Sequence, residues 1–197
     1  MFYIIGVAHQ VQFKQEGADD SEDQKQFCNA LASAIERFKP ALVGEEFSEH
    51  ALKQQGADYE SLTKAVANSL RVEHRFCDPD ADTRAKLKYR EGTEIALELT
   101  SDRSLSNAEI NDRGFAIEVA KYWPIREKFW LDQLANVKDK EVVFVCGDAH
   151  VESFRELLKQ NGLNSGVVAR SIGVTQRDDE FWKSVMKYLE AHPELRR

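Results

Sequence analysis

Hydrophobic residues recur along this chain in two rhythms. Residues 2–8 form an almost unbroken apolar run, as expected of a strand buried on both faces. The polar stretch QVQFKQEGADD that follows reads as a loop. From Ser21 the spacing becomes helical: Phe27, Leu31, Ala34, Ile35 and Phe38 repeat on one face, and Ser21 with Gln24 forms a capping box. Pro40 ends this helix, because the residue before a proline disfavours helical backbone.

ALVGEEF (41–47) predicts a second strand. Residues 59–70 predict a helix with Leu62, Val66 and Leu70 on one face. VEHRFCD (72–78) alternates Val72, His74 and Phe76 against Glu73 and Arg75, which predicts a strand with an exposed face or at a sheet edge. From 80 to 136 the pattern is helical throughout. Pro124 lies inside that span and predicts a break or kink near Trp123, with a fresh helix from Pro124. EVVFVCG (141–147) is the clearest buried strand. A helix from 149 to about 160 follows, with Val151, Phe154, Leu157 and Leu158 inward and Gly162 placed to stop it. GVVARSI (166–172) predicts a fifth strand, and DDEFWKSVMKYLEAH a last helix capped by Asp178 or Asp179.

Strands alternating with helices predict an α/β fold: a mostly parallel central sheet flanked by helices, with a long helical insertion between the third and fourth strands. The expectation is one domain over 1–197, with the insertion at about 80–136.

Composition narrows the function classes. Of 197 residues, 42% are hydrophobic and 31% charged, which describes a globular chain rather than a disordered one. The net charge of −7 argues against general nucleic-acid binding, and the basic run RAKLKYR (84–90) reads as a solvated helix face. Cys28, Cys77 and Cys146 are odd in number, widely spaced and lack a C-x-x-C pair, so neither a disulfide framework nor a zinc ribbon is expected. Reduced thiols, no signal-peptide pattern and no apolar run near the ~20 residues of a membrane span lead to the expectation of a cytoplasmic, membrane-free protein.

In open parallel sheets, ligands bind beyond the carboxyl ends of the strands. The first strand delivers Gly6 and His9 there. The second delivers Gly44, Glu45 and Glu46, the third Asp78, Asp80 and Asp82, and the fourth Gly147, Asp148 and His150. Two imidazoles with carboxylates make a divalent-metal set or an acid/base set. A glycine at a strand end admits close approach that a side chain would block. Asp148 reads as the cap of the helix behind it, and Asp80 and Asp82 as caps of the next. His50, His74 and His192 read as surface or packing residues. Adjacent strand residues face opposite ways, so either Glu45 or Glu46 faces the rim.

These motifs resemble the TraB/PrgY, GumN and Tiki superfamily, to which the ChaN-like and erythromycin-esterase-like proteins are related. GVAH (6–9) is similar to its first Gly-x-x-His motif and VVFVCGDAH to its second. ALVGEEF is similar to its glutamate strand, FCDPDADTR to the segment carrying an aspartate and an arginine, here Asp78 and Arg84, and REKFWLDQL to its arginine helix, here Arg126. The resemblance implies a hydrolase of metallopeptidase or esterase type acting on a small-molecule or peptide substrate. His9, Glu45, Glu46 and His150 would be catalytic or would hold manganese, cobalt or zinc, with Arg126 stabilising developing negative charge. Gly6, Gly147, Asp78 and Arg84 would line the ligand site. Arg126 alternatively reads as a surface ion pair with Glu127 or Asp132. The alternative functions are a haem or small-ligand binder, with a pocket lined by Trp123, Phe129 and Trp130, and a non-catalytic interaction or toxin-type protein. Oligomeric state is not encoded in these patterns.

Overall fold

The structure, a computed structural model, describes residues 1–197 other than Ala57, Arg103 and Arg197. Its strands are β1 (Phe2–Val7), β2 (Phe13–Gln15), β3 (Leu42–Glu45), β4 (Tyr59–Ser61), β5 (Glu73–Phe76), β6 (Val142–Gly147) and β7 (Ser165–Ile172). Its α-helices are α1 (Glu22–Phe38), α2 (Glu49–Gln55), α3 (Leu62–Ser69), α4 (Ala81–Lys86), α5 (Gly92–Leu99), α6 (Asn107–Ile117), α7 (Trp123–Gln133), α8 (Val151–Gln160) and α9 (Gln176–Ala191).

Five strands form one parallel sheet in the order β5-β3-β6-β1-β7. The α/β class, the parallel sheet, its flanking helices and the helical stretch between β5 and β6 are as the hydrophobic rhythms predict. β5, with its mixed polar pattern, is an edge strand. The late strand β6 inserts between β1 and β3, so the two Gly-x-x-His strands are hydrogen-bonded neighbours, with Gly6 opposite Cys146 and Val7 opposite Gly147.

Alternation along the strands builds a core on each face. Phe2, Ile4, Leu42, Val142 and Phe144 point to one side, where they meet Trp130, Leu134, Phe154 and Leu158. Ile5, Val7, Val43, Val143 and Val145 point to the other, against Phe27 and Leu31 of α1 and Leu62 and Ala67 of α3. Trp130, Phe144 and Phe154 form a mutual aromatic contact with centroids 4.7–5.6 Å apart. Each such pair adds about 0.5–1.5 kcal/mol beyond its buried area.

The chain divides into two compact units. Unit 1 comprises Met1–Asp80 and Phe129–Val174 and contains both sheets; unit 2 comprises Ala81–Lys128 and Thr175–Arg197. The insertion therefore takes the C-terminal helix with it. In unit 2, α9 buries Val185 and Leu189 with Ala116, and Phe115 packs edge-on against Phe181 and Trp182. Among the described residues, no helix is long and apolar enough to cross a membrane.

Four local expectations are corrected, and one helix goes unpredicted. The polar stretch after β1 is not all loop: His9–Val11 forms a 3-10 turn, and Phe13–Gln15 pairs antiparallel with Tyr59–Ser61. Backbone pairing there outweighs weak hydrophobic patterning. Residues 59–61 are accordingly strand, and α3 starts at Leu62, capped by the Ser61 hydroxyl. The helix α2, capped by Ser48, goes unpredicted because seven residues show too little periodicity. Pro124 breaks nothing: backbone angles stay helical at Ile117 and Trp123, and Glu118–Tyr122 forms a π-helical segment immediately before the proline. Its wider hydrogen-bond step accommodates the missing proline donor. Finally, α9 is capped by Thr175, with Asp178 as its capping-box partner at the third helical position.

Candidate functional site

Of the residues predicted for the strand ends, all but Asp82 lie in unit 1, and Glu46 is the centre of those that converge. Its backbone N–H donates to the Val145 carbonyl, which fixes it just past β3 beside β6. The side chain is buried on the same face as Gly44 rather than with Glu45, as strand alternation requires. Oε2 accepts a 2.7 Å hydrogen bond from the Gly147 N–H. Oε1 lies 3.4 Å from His9 Nε2 and 3.5 Å from His150 Nε2. One carboxylate oxygen thus faces both imidazoles, one from each Gly-x-x-His motif.

The two histidines differ in access. His150 lies at the end of the 3-10 turn Asp148–His150, is 4% exposed, and stands edge-on to the Trp130 ring at 5.0 Å. The Trp130 indole N–H donates to Asp78 Oδ1 at 2.9 Å. Asp78 therefore helps fix the ring that walls His150. His9 begins the turn after β1, and its side chain is 50% exposed. It is the solvent-facing member of the set.

The motif glycines act by close approach, not by unusual backbone angles. A Cβ at Gly147 would stand 2.5 Å from His9 Nε2 and 3.4 Å from Glu46 Oε2. A Cβ at Gly6 would stand 2.5 Å from Asp148 Oδ1 and 2.6 Å from Val151 Cγ2. Each motif's glycine thus makes room for a polar residue of the other motif.

Asp148 is not a helix cap. Its carboxylate accepts from the Ser171 N–H at 2.7 Å and pairs with Arg170 at 3.2 Å, both on β7. Sequence spacing could not foretell a partner more than twenty residues away.

Glu45 faces the opposite side of the sheet. Its Oε1 accepts from the Ser61 hydroxyl at 2.7 Å and lies 2.7 Å from His74 Nε2. His74 has a 5% exposed side chain and stacks edge-on to Phe76. The doubled glutamate therefore serves two separate polar clusters, and His74 is a buried partner of the second. His50 is exposed, and His192 lies against Glu194 and Tyr188, so with His74 packed on Phe76 all three stand at surface or packing positions, as expected.

The two predicted arginines belong to unit 2. Arg84 pairs with Glu91 and lies 5.5 Å from the Tyr89 ring centre, and Arg126 lies 5.8 Å from the same centre. The Tyr89 hydroxyl donates to Glu118, and burial is the main cause raising the Tyr89 pKa. Trp123 packs on Trp182 within unit 2, and Trp130 lies in the core of unit 1. Both are core residues of their own units.

The donor set is a partial match to a divalent ion. Bonds of about 2.0–2.2 Å in a tetrahedral site place neighbouring donors about 3.4 Å apart, the separation of Glu46 Oε1 from each imidazole. Among the described residues, however, no group of three or more His, Cys, Asp or Glu side chains is arranged to hold a metal ion as it stands. No family model, curated protein or solved structure matches the chain.

Proposed function

We propose that unit 1 is a hydrolase of ester or amide bonds, with His9, Glu46 and His150 as its acid/base machinery and a small molecule or peptide as substrate. The observation that carries this reading is the convergence of two imidazole Nε2 atoms on one oxygen of a buried carboxylate. Buried carboxylates orient imidazoles and stabilise the imidazolium that forms when a proton is taken up. In this reading each ring keeps its proton on Nε2, toward Glu46 Oε1 at 3.4 and 3.5 Å, and takes up a second at Nδ1. His9, being half exposed, meets the water: its Nδ1 takes a proton while the hydroxyl oxygen bonds to the substrate carbonyl carbon. The same proton passes to the leaving oxygen or nitrogen as the ester or amide bond breaks. His150 holds Glu46 from the buried side. Arg126 is given no step, because it belongs to unit 2.

The resemblance to the TraB, GumN and Tiki proteins supports the same chemistry through GVAH, the glutamate strand and CGDAH. A second reading, in which a divalent ion is held by these three side chains, is favoured by the 3.4 and 3.5 Å donor separations. The two readings make opposite demands on the rings, since a metal-binding Nε2 carries no proton.

Purified protein should hydrolyse members of an ester and peptide panel, and His9→Ala/His150→Ala should abolish this. Wild type that cleaves nothing, with or without manganese, cobalt or zinc, would sink the proposal. Elemental analysis together with the imidazole tautomers decides between the two readings.

A further inference from the structure

Asp148 reaches across a whole strand. It leaves the end of β6, and its partners Arg170 and Ser171 lie on β7, while β1 runs between those two strands. The crossing passes over Gly6, where any Cβ would stand 2.5 Å from Asp148 Oδ1. The contacts at the far end are several. The Ser171 N–H donates to Oδ1 at 2.7 Å, and Arg170 reaches Oδ1 at 3.4 Å, Oδ2 at 3.2 Å and the Asp148 carbonyl at 3.3 Å. Arg170 also reaches Glu152 Oε1 at 2.7 Å, on the first turn of α8. β7 is irregular where it receives this bridge: its register with β1 shifts twice, and Ser171 takes a left-handed conformation, φ 58°.

The bridge holds a turn that contains one other polar side chain, His150. A three-residue 3-10 turn has few internal hydrogen bonds to fix it. We infer that Asp148 is a positioning residue, anchoring the Asp148–His150 turn to β7 so that His150 Nε2 stays on Glu46. This rests on the reading of the His9–Glu46–His150 set as the reactive site. It also gives the glycine of the first motif a purpose: Gly6 opens the path along which the second motif is fastened.

The test is nitrogen NMR of the imidazoles in the intact protein, with hydrolysis rate as a second readout. Asp148→Ala should shift the His150 ring resonances and populate both tautomers, while the His74 resonances, on the opposite face, stay in place. Groups that orient active side chains from behind are worth about 10- to 100-fold, so the hydrolysis rate should fall by at least tenfold with KM little changed. Asp148→Asn retains an acceptor for the Ser171 N–H and should restore the His150 resonances. If Asp148→Ala does not fold, Arg170→Ala, on a partly exposed side chain, removes the guanidinium contacts and should shift His150 the same way by less. His150 resonances that match wild type in a folded Asp148→Ala or Arg170→Ala protein would overturn the inference. The resonances need no substrate. An inactive wild type therefore removes the hydrolase reading alone, and unmoved resonances remove the positioning role alone.

Discussion

Gly147 stands where a single added methyl would lie 2.5 Å from His9 Nε2. The nearest atom belongs to a half-exposed ring that can swing outward, so Gly147→Ala should cost little stability, under about 1 kcal/mol, well below a buried overpacking penalty of about 1–3 kcal/mol. It should instead expel His9 from Glu46. Gly6→Ala differs, because it meets the fully buried Val151 as well as Asp148. The expected ranking in denaturant midpoint is wild type, then Gly147→Ala close behind, then Gly6→Ala clearly lower. Hydrolysis should be lost in both variants.

The cysteines report on opening of unit 1. Cys77 and Cys146 are buried, and burial pushes the Cys77 thiol up to about 12. Cys28, partly buried on α1, is raised mainly by burial as well. The thiolate is the reactive form. A disulfide reagent at pH 8 should therefore label Cys28 slowly and leave Cys77 and Cys146 unlabelled until denaturant opens the core. Prompt labelling of three thiols in native protein would contradict this packing.

The C-terminal helix carries a pH dependence of known sign. The Thr175 hydroxyl and N–H both donate to Asp178, and these bonds, the hydroxyl first, hold its carboxyl below the usual value. A depressed folded pKa stabilises above the unfolded pKa and is lost as pH falls through the folded one. The first turn of α9 should be best protected near neutrality and fray below about pH 4. Thr175→Ala should weaken it by about 1 kcal/mol at pH 7. Hydrogen exchange of the Asp178 and Asp179 amides, which bond to Thr175, measures both, and equal protection at pH 3 and pH 7 would refute the assignment.

The sheet was legible in the sequence because continuous apolar runs such as VVFVC require burial on both faces. Most of the rim was legible too, since the ends of parallel strands share one edge. Whether His9 and His150 meet depended on β6 entering beside β1, a long-range pairing that local spacing does not encode. The bridge from Asp148 to β7 and the inward turn of His74 were hidden for the same reason. Both are set by tertiary neighbours, and an aspartate before a helix has a simpler local reading as a cap. Pro124 misled because a π-helical segment absorbs its missing donor, and nothing in YWPIRE announces that segment. The capture of α9 by the insertion arose from Phe115 and Trp182, two aromatics widely separated in the chain.

Glu45 and Glu46 provide the sharpest separation of roles. They are consecutive, alike in charge and both fully buried, yet they face opposite sides of the sheet. Glu46→Gln keeps the shape and can still accept from the Gly147 N–H, but it places a neutral amide between two imidazoles. It should fold normally and lose most hydrolysis, about 100-fold or more if the carboxylate stabilises an imidazolium during turnover. Glu46→Ala additionally leaves the Gly147 N–H unsatisfied, at a cost of about 1–3 kcal/mol. Glu45→Gln should show the reverse pattern. It weakens the contacts to His74 and Ser61, both at 2.7 Å, and loosens β5 and the start of α3. Its stability should fall by about 1–3 kcal/mol while hydrolysis per folded molecule stays within about twofold of wild type. Denaturation curves and rates for the three variants separate the roles. If Glu45→Gln abolished activity while Glu46→Gln did not, the reactive carboxylate would have to move to the other face of the sheet.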